Sequence, residues 1–168
     1  LFNTRHFTMN RYYIFDLDHT IVDSSHRLAT RPDGSLDLDH WREHSTPALI
    51  EQDKLLPLAN EWRKVQRKEN VTILVCTARV MGHADYFYLS SRGLFASTII
   101  SRQEGDRTPD DLLKLRSLKK YCASQRVSWR RFCSQAMMFD DNLNVINTLT
   151  NNGLRVHNAI SLNKALGA

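Results

Sequence analysis

The chain has 168 residues, 42% of them hydrophobic, and a net charge of +5, which suits one domain large enough to bury a core. No stretch approaches the roughly 18 apolar residues needed to span a bilayer, and no secretory apolar region opens the sequence, so the expectation is a soluble, cytoplasmic protein. Three cysteines, Cys76, Cys122 and Cys133, without C-x-x-C spacing argue against a disulfide framework and against a zinc site.

In chain order, residues 1–8 precede Met9 and are read as an extension outside the fold, leaving 9–168 as a single domain. Residues 12–15 form an apolar run, a buried strand, which delivers Asp16-Leu17-Asp18-His19-Thr20 at its end. Segment 23–56 is irregular, holds the turn signal Arg31-Pro32-Asp33-Gly34, and reads as a small insert over the site, with Leu38, Trp41 and His44 sharing a short helix face. Pro57 opens a helix carrying Leu58, Trp62 and Val65 and ending near Asn70. A strand at 71–76, a helix at 82–92 stopped by Gly93, and a strand at 98–100 follow. Thr108, Pro109 and Asp111 resemble a capping box that opens a helix to about Ser124. A strand at 136–139 ends in Asp140-Asp141, where Asp141 could serve as a helix cap, then come a helix to Asn152 and a strand at 154–156. Strands alternating with helices predict an α/β fold with a mostly parallel sheet of five strands.

Ligands of such sheets bind beyond the carboxyl ends of the strands. There the sequence places Asp16 and Asp18, then Thr77-Ala78-Arg79, then Asp140-Asp141. Like charges at roughly 4 Å repel by about 4 kcal/mol at an effective dielectric near 20, so two acidic pairs at two strand ends suggest one divalent metal site. Lys114 lies four residues after Asp110, on one helix face, where the two can pair. Residues 102–131 hold nine Lys/Arg against four acids, an excess equal to that of the whole chain, which suits a polyanionic substrate. Cys76 is read as a core residue, His19, His26, His40 and His44 as surface residues, and Tyr86-Phe87-Tyr88 as core packing rather than a base-stacking surface.

The order D-x-D-x-T, a strand ending in Thr, then Lys, then an acidic pair resembles the haloacid dehalogenase superfamily of phosphotransferases over nearly the whole chain. One departure is His19, where that superfamily usually has Gly. Arg27, Arg79 and the stretch from Arg102 to Lys114 make the chain most similar to the 3′-phosphatase domain of phage-type polynucleotide kinase; no G-x-x-x-x-G-K-[ST] is present, so the kinase half is absent. The resemblance implies a Rossmann-like three-layer sandwich with at most a small insert as cap. It implies Asp16 as nucleophile through an aspartyl-phosphate, Asp18 as acid/base with its pKa raised by Asp16, and Thr77 and Lys114 on the phosphoryl oxygens. Arg27, Arg79, Asp110 and Thr20 would serve the substrate, while Asp16, the Asp18 backbone carbonyl, Asp140 and Asp141 would hold Mg2+. The implied substrate is a phosphorylated nucleic acid 3′ end, with a nucleotide monophosphate as the alternative, and a phage protein acting in a bacterial host is the implied setting. Outside this class, a receiver-like phospho-acceptor shares the residue types, but its acidic pair precedes the phosphorylated Asp and it lacks Asp18. A quiet binding protein that kept the fold is a third reading.

Overall fold

The computed structural model describes residues 11–167, so the expected extension at 1–8 lies outside the described residues. Strands β1 (Tyr12–Phe15) and β2 (Val22–Asp23) lead into helices α1 (Leu38–Glu43) and α2 (Pro47–Glu51), then β3 (Lys54–Leu55), α3 (Leu58–Val65) and β4 (Thr72–Cys76). There follow α4 (His83–Ser91), β5 (Thr98–Ile100), α5 (Asp110–Ser124), α6 (Trp129–Ser134), β6 (Ala136–Asp140), α7 (Leu143–Asn151), β7 (Arg155–Asn158) and α8 (Ala159–Gly167).

One parallel sheet of five strands runs in the order β5-β4-β1-β6-β7. Phe15 lies opposite Val75 on one side and Phe139 on the other, which places β1 at the centre and explains its unbroken apolar run. Alternate side chains fill two cores. Phe15 stacks on Trp62 and Phe139, with ring centroids 5.2 and 5.1 Å apart, in the layer that includes Leu58, Tyr88 and Ala159. Ile14, Leu74 and Met138 face the other way, onto Leu118, Phe132 and Val145. Helices thus cover both faces, the three-layer sandwich that the family resemblance implies. Among the described residues no helix is long and apolar enough to cross a membrane.

The helix ends differ from expectation for local reasons. Helix α3 stops at Val65, short of Asn70, whose φ of 61° is left-handed. Thr108 does not cap α5; its hydroxyl and N–H both bind Asp106, and Asp111 instead accepts from Thr148. Asn142, not Asp141, caps α7 by accepting from the N–H groups of Asn144 and Val145, which leaves Asp141 free of that duty. Helices α6 and α8 lacked a clear apolar period and were not expected.

Between β2 and β3, which pair antiparallel, the chain forms α1 and α2 with a turn closed by Gly34 N–H to Arg31. Helix α1 buries none of its residues, so the face shared by Leu38, Trp41 and His44 is not a core face. Tyr88 is buried, as expected of core packing, whereas Tyr86 and Phe87 are exposed. Cys76 is buried, and burial pushes its thiol up to about 12. His26 contacts Asp53, while His40 and His44 stack on one another.

Candidate active site

The chain leaves β1 through a tight hook. The Leu17 carbonyl accepts from the N–H groups of Thr20, Ile21 and Val22, and His19 sits at φ 58°. That left-handed backbone is why glycine is favoured at such a position; histidine tolerates it at a cost on the order of 1 kcal/mol. The hook buries Thr20 completely and sets its hydroxyl 3.3 Å from Asp16 Oδ2. Asp140 ends the neighbouring strand β6, on the far side of β1 from β4, where the order of connection reverses. This is the crevice in which parallel sheets bind ligands.

Lys114 reaches the crevice from α5. Its ammonium donates to Asp16 Oδ1 at 2.8 Å and Asp140 Oδ2 at 2.7 Å, and all three residues are buried. Asp141 completes a cluster in which Asp16, Asp140 and Asp141 each bring a carboxylate oxygen within 4.8 Å of the others. Three carboxylates against one ammonium leave negative charge unmet. Burial pushes Asp16 up to about 7, with Lys114 pulling down and Asp140 pushing further up. Burial and the Asp16 charge raise Asp141 to about 6, and burial also raises Asp140 against the pull of Lys114. Lys114 itself is raised, because the two carboxylates outweigh its burial. Thr77, just past β4, is buried, and its Oγ1 accepts from the Arg79 N–H at 3.1 Å.

Asp18 behaves differently from expectation. Burial works to raise its pKa, but the Arg79 charge and hydrogen bonds outweigh that, with help from Ser24, and the net shift is downward. Arg79 Nη2 donates to Asp18 Oδ1 at 2.5 Å, Arg79 Nε to Oδ2 at 3.1 Å, and Ser24 Oγ to Oδ1 at 2.7 Å. The expected upward push from Asp16 is therefore corrected: a partner 61 residues away decides the direction.

Two further expectations change. Asp110 does not pair with Lys114; it accepts from Arg102 at 2.7 Å, because Lys114 points inward to Asp16 and Asp140. Arg27 is 1% exposed and directs Nε and Nη2 to the two oxygens of Asp53, both at 2.8 Å, and Nη1 to Ser45. Its guanidinium is engaged within the protein rather than open to a substrate. Asp53, Asp85 and Ser24 escaped the sequence reading. Asp85 accepts from Arg79 Nη1 at 2.6 Å, and Asp53 Oδ2 lies 3.6 Å from Arg79 Nη2. The spacing Gly82-x-x-Asp85 was a readable helix-start signal, and Asp85 does accept from the Gly82 N–H. Asp53 carried no local signal, for its partner Arg27 is 26 residues away.

A family model described as bacteriophage T5 5′-deoxynucleotidase matches residues 3–168. The chain belongs to that family. The 5′-deoxynucleotidase of Escherichia phage T5 is 42% identical over 95 residues, which is 54% of this chain and 39% of that protein. The match thus spans well under half of that protein's length. A haloacid dehalogenase-like hydrolase from Streptococcus pneumoniae superposes with a TM-score of 0.64 at 12% identity, covering 94% of this chain and 91% of that one. A chain of the Pnkp1/Rnl/Hen1 RNA repair complex gives 0.62 at 16% identity, covering 88% of this chain and 41% of that one. At these identities the likeness is one of fold, and the fold is haloacid dehalogenase-like.

Proposed function

We propose that this member of the 5′-deoxynucleotidase family is a Mg2+-dependent phosphomonoesterase that moves the phosphoryl group of a nucleoside 5′-monophosphate to Asp16 and then to water. The observation that carries the reading is the Lys114 ammonium held between Asp16 and Asp140, with Asp141 beside them. Clustered hard oxygen donors with unmet negative charge fit Mg2+, which Asp16, Asp140, Asp141 and the Asp18 backbone carbonyl would hold. Bound there, the ion would offset the repulsion between an anionic nucleophile and an anionic substrate.

The chain's own groups divide the rest. Asp16 attacks phosphorus, the bond to the nucleoside oxygen breaks, and an aspartyl-phosphate forms. Asp18 gives a proton to the departing alkoxide and then takes one from the water that hydrolyses the intermediate. The Arg79 grip on Asp18 favours its ionised form and so suits the second step; in the first, Arg79 must turn to the substrate phosphate and release Asp18. Because Thr77 accepts from a backbone N–H, its hydroxyl proton remains for a phosphoryl oxygen, and Lys114 supplies the neighbouring positive charge.

The choice of a mononucleotide over a 3′-phosphorylated strand end is supported by the family description and by the phage relative's name. Support for the strand end rested on Arg27, Arg79 and the basic segment, and much of it is engaged internally. Arg27 binds Asp53, Arg102 binds the Ala78, Asp106 and Thr108 carbonyls as well as Asp110, and Arg116 binds Asp106. Phosphate release from deoxynucleoside 5′-monophosphates, nucleoside 3′-monophosphates and 3′-phosphorylated oligonucleotides, with and without Mg2+, tests the assignment. Turnover of the 5′-monophosphates that needs Mg2+ is expected. Preference for the oligonucleotide would return the protein to strand-end repair, and stoichiometric phosphorylation without turnover would favour a receiver.

A further inference from the structure

The tryptophans differ in how their indole N–H groups are satisfied. Trp62 donates to the Phe95 carbonyl at 3.0 Å and Trp129 to the Asn152 carbonyl at 2.7 Å. The Trp41 indole donates to no group among the described residues, and its side chain is only partly covered, on a helix that buries none of its residues. It is not a core residue. The ring is nevertheless held in place, with the Arg27 guanidinium 4.1 Å from its centroid and the Arg79 guanidinium 5.7 Å away. Arg27 is fixed in turn by Asp53, which it meets with two donors, and Arg79 by Asp18 and Asp85. A partly exposed aromatic ring is thereby anchored from the insert one guanidinium away from Asp18, the group assigned to the leaving oxygen.

We propose that Trp41 is a specificity residue on which the nucleobase of the substrate stacks while its phosphate lies over Asp16. The proposal rests on the nucleotidase reading and names what that reading leaves open, the part of the site that meets the base. A stacked ring gains from any nucleobase, since each has a π face, so the preference it creates is for nucleotides over other phosphomonoesters rather than for one base. The simpler role for Trp41 is to fasten α1 onto Arg27 within the insert, and the two roles differ in what a substrate without a base would feel.

The test compares kcat/KM for a deoxynucleoside 5′-monophosphate with that for deoxyribose 5-phosphate, in wild type, Trp41→Ala and Trp41→Phe. In Trp41→Ala the ratio of the two is expected to fall about tenfold or more, mainly through KM for the nucleotide, as loss of one stacked base allows. Trp41→Phe keeps a ring and should hold the ratio within about threefold. An unchanged ratio in Trp41→Ala, including equal losses on both substrates, would overturn the proposal and leave Trp41 as a fastener. If the wild type hydrolyses no nucleotide, the nucleotidase reading fails by itself. Calorimetric binding of the nucleotide to Asp16→Asn, with and without Trp41→Ala, then decides the stacking: weaker binding supports it, and unaltered or undetectable binding refutes it.

Discussion

Lys114 bridges two buried carboxylates with one positive charge, and its removal would expose their repulsion. Lys114→Met should lower kcat by on the order of 100-fold or more, the scale for losing one group that stabilises transition-state charge, which phosphate-release kinetics would show. The carboxylates also set a pH dependence. Asp16 at about 7 and Asp141 at about 6 stand above the ordinary carboxylate value of 3.8. The folded protein therefore keeps protons that the unfolded chain gives up between about pH 4 and pH 7, and metal-free stability should fall as pH rises through that window. Urea midpoints should be lower near about pH 7.5 than near about pH 5 without Mg2+, with the gap narrowing when Mg2+ is added; a gap that Mg2+ leaves untouched would separate the carboxylates from the metal. At this scale the sequence exposed residue types but not partners. Asp16 and Asp18 were visible as neighbours, whereas the Arg79 contact that lowers Asp18 spans 61 positions, and the Lys114 to Asp16 contact spans 98.

The elements that carry these residues were readable where burial imposes a pattern. Strands β1, β4 and β6 are enclosed on both faces, so their apolar runs marked them and their ends. The insert was not readable in the same way, because α1 buries nothing and the buried charged pair that joins the insert's two ends, Arg27 and Asp53, is 26 residues apart in sequence. Arg27 and Asp53 are 1% and 0% exposed as side chains, and removing one member of a buried pair leaves the other uncompensated. Arg27→Ala should cost about 3 kcal/mol in urea unfolding, while Arg27→Met with Asp53→Leu should recover much of that loss. Equal destabilisation in both variants would mean that packing, not charge, holds the insert. At the start of α7, Asn142→Ala should cost about 1 kcal/mol by loss of the cap, measurable in the same unfolding series. The acidic pair before that helix hid the cap, since Asp141 is an equally good capping residue by type.

For the molecule as a whole, the parallel order β5-β4-β1-β6-β7 brings residues from opposite ends of the chain to one crevice. Motif order along the chain carried that much, and with it the three-layer fold. The substrate was harder to read, because cations such as Arg27 and Arg102 look alike in sequence whether they face a ligand or partners within the protein. In the proposed mechanism, covalent catalysis by Asp16 is what joins the fold, the carboxylate cluster and the family. The most direct check is Mg2+-supported phosphate release from a deoxynucleoside 5′-monophosphate by wild type and by Asp16→Asn, with circular dichroism confirming that both are folded. Turnover by the wild type and none above background by the folded variant is the expected result; undiminished turnover by Asp16→Asn would contradict the mechanism.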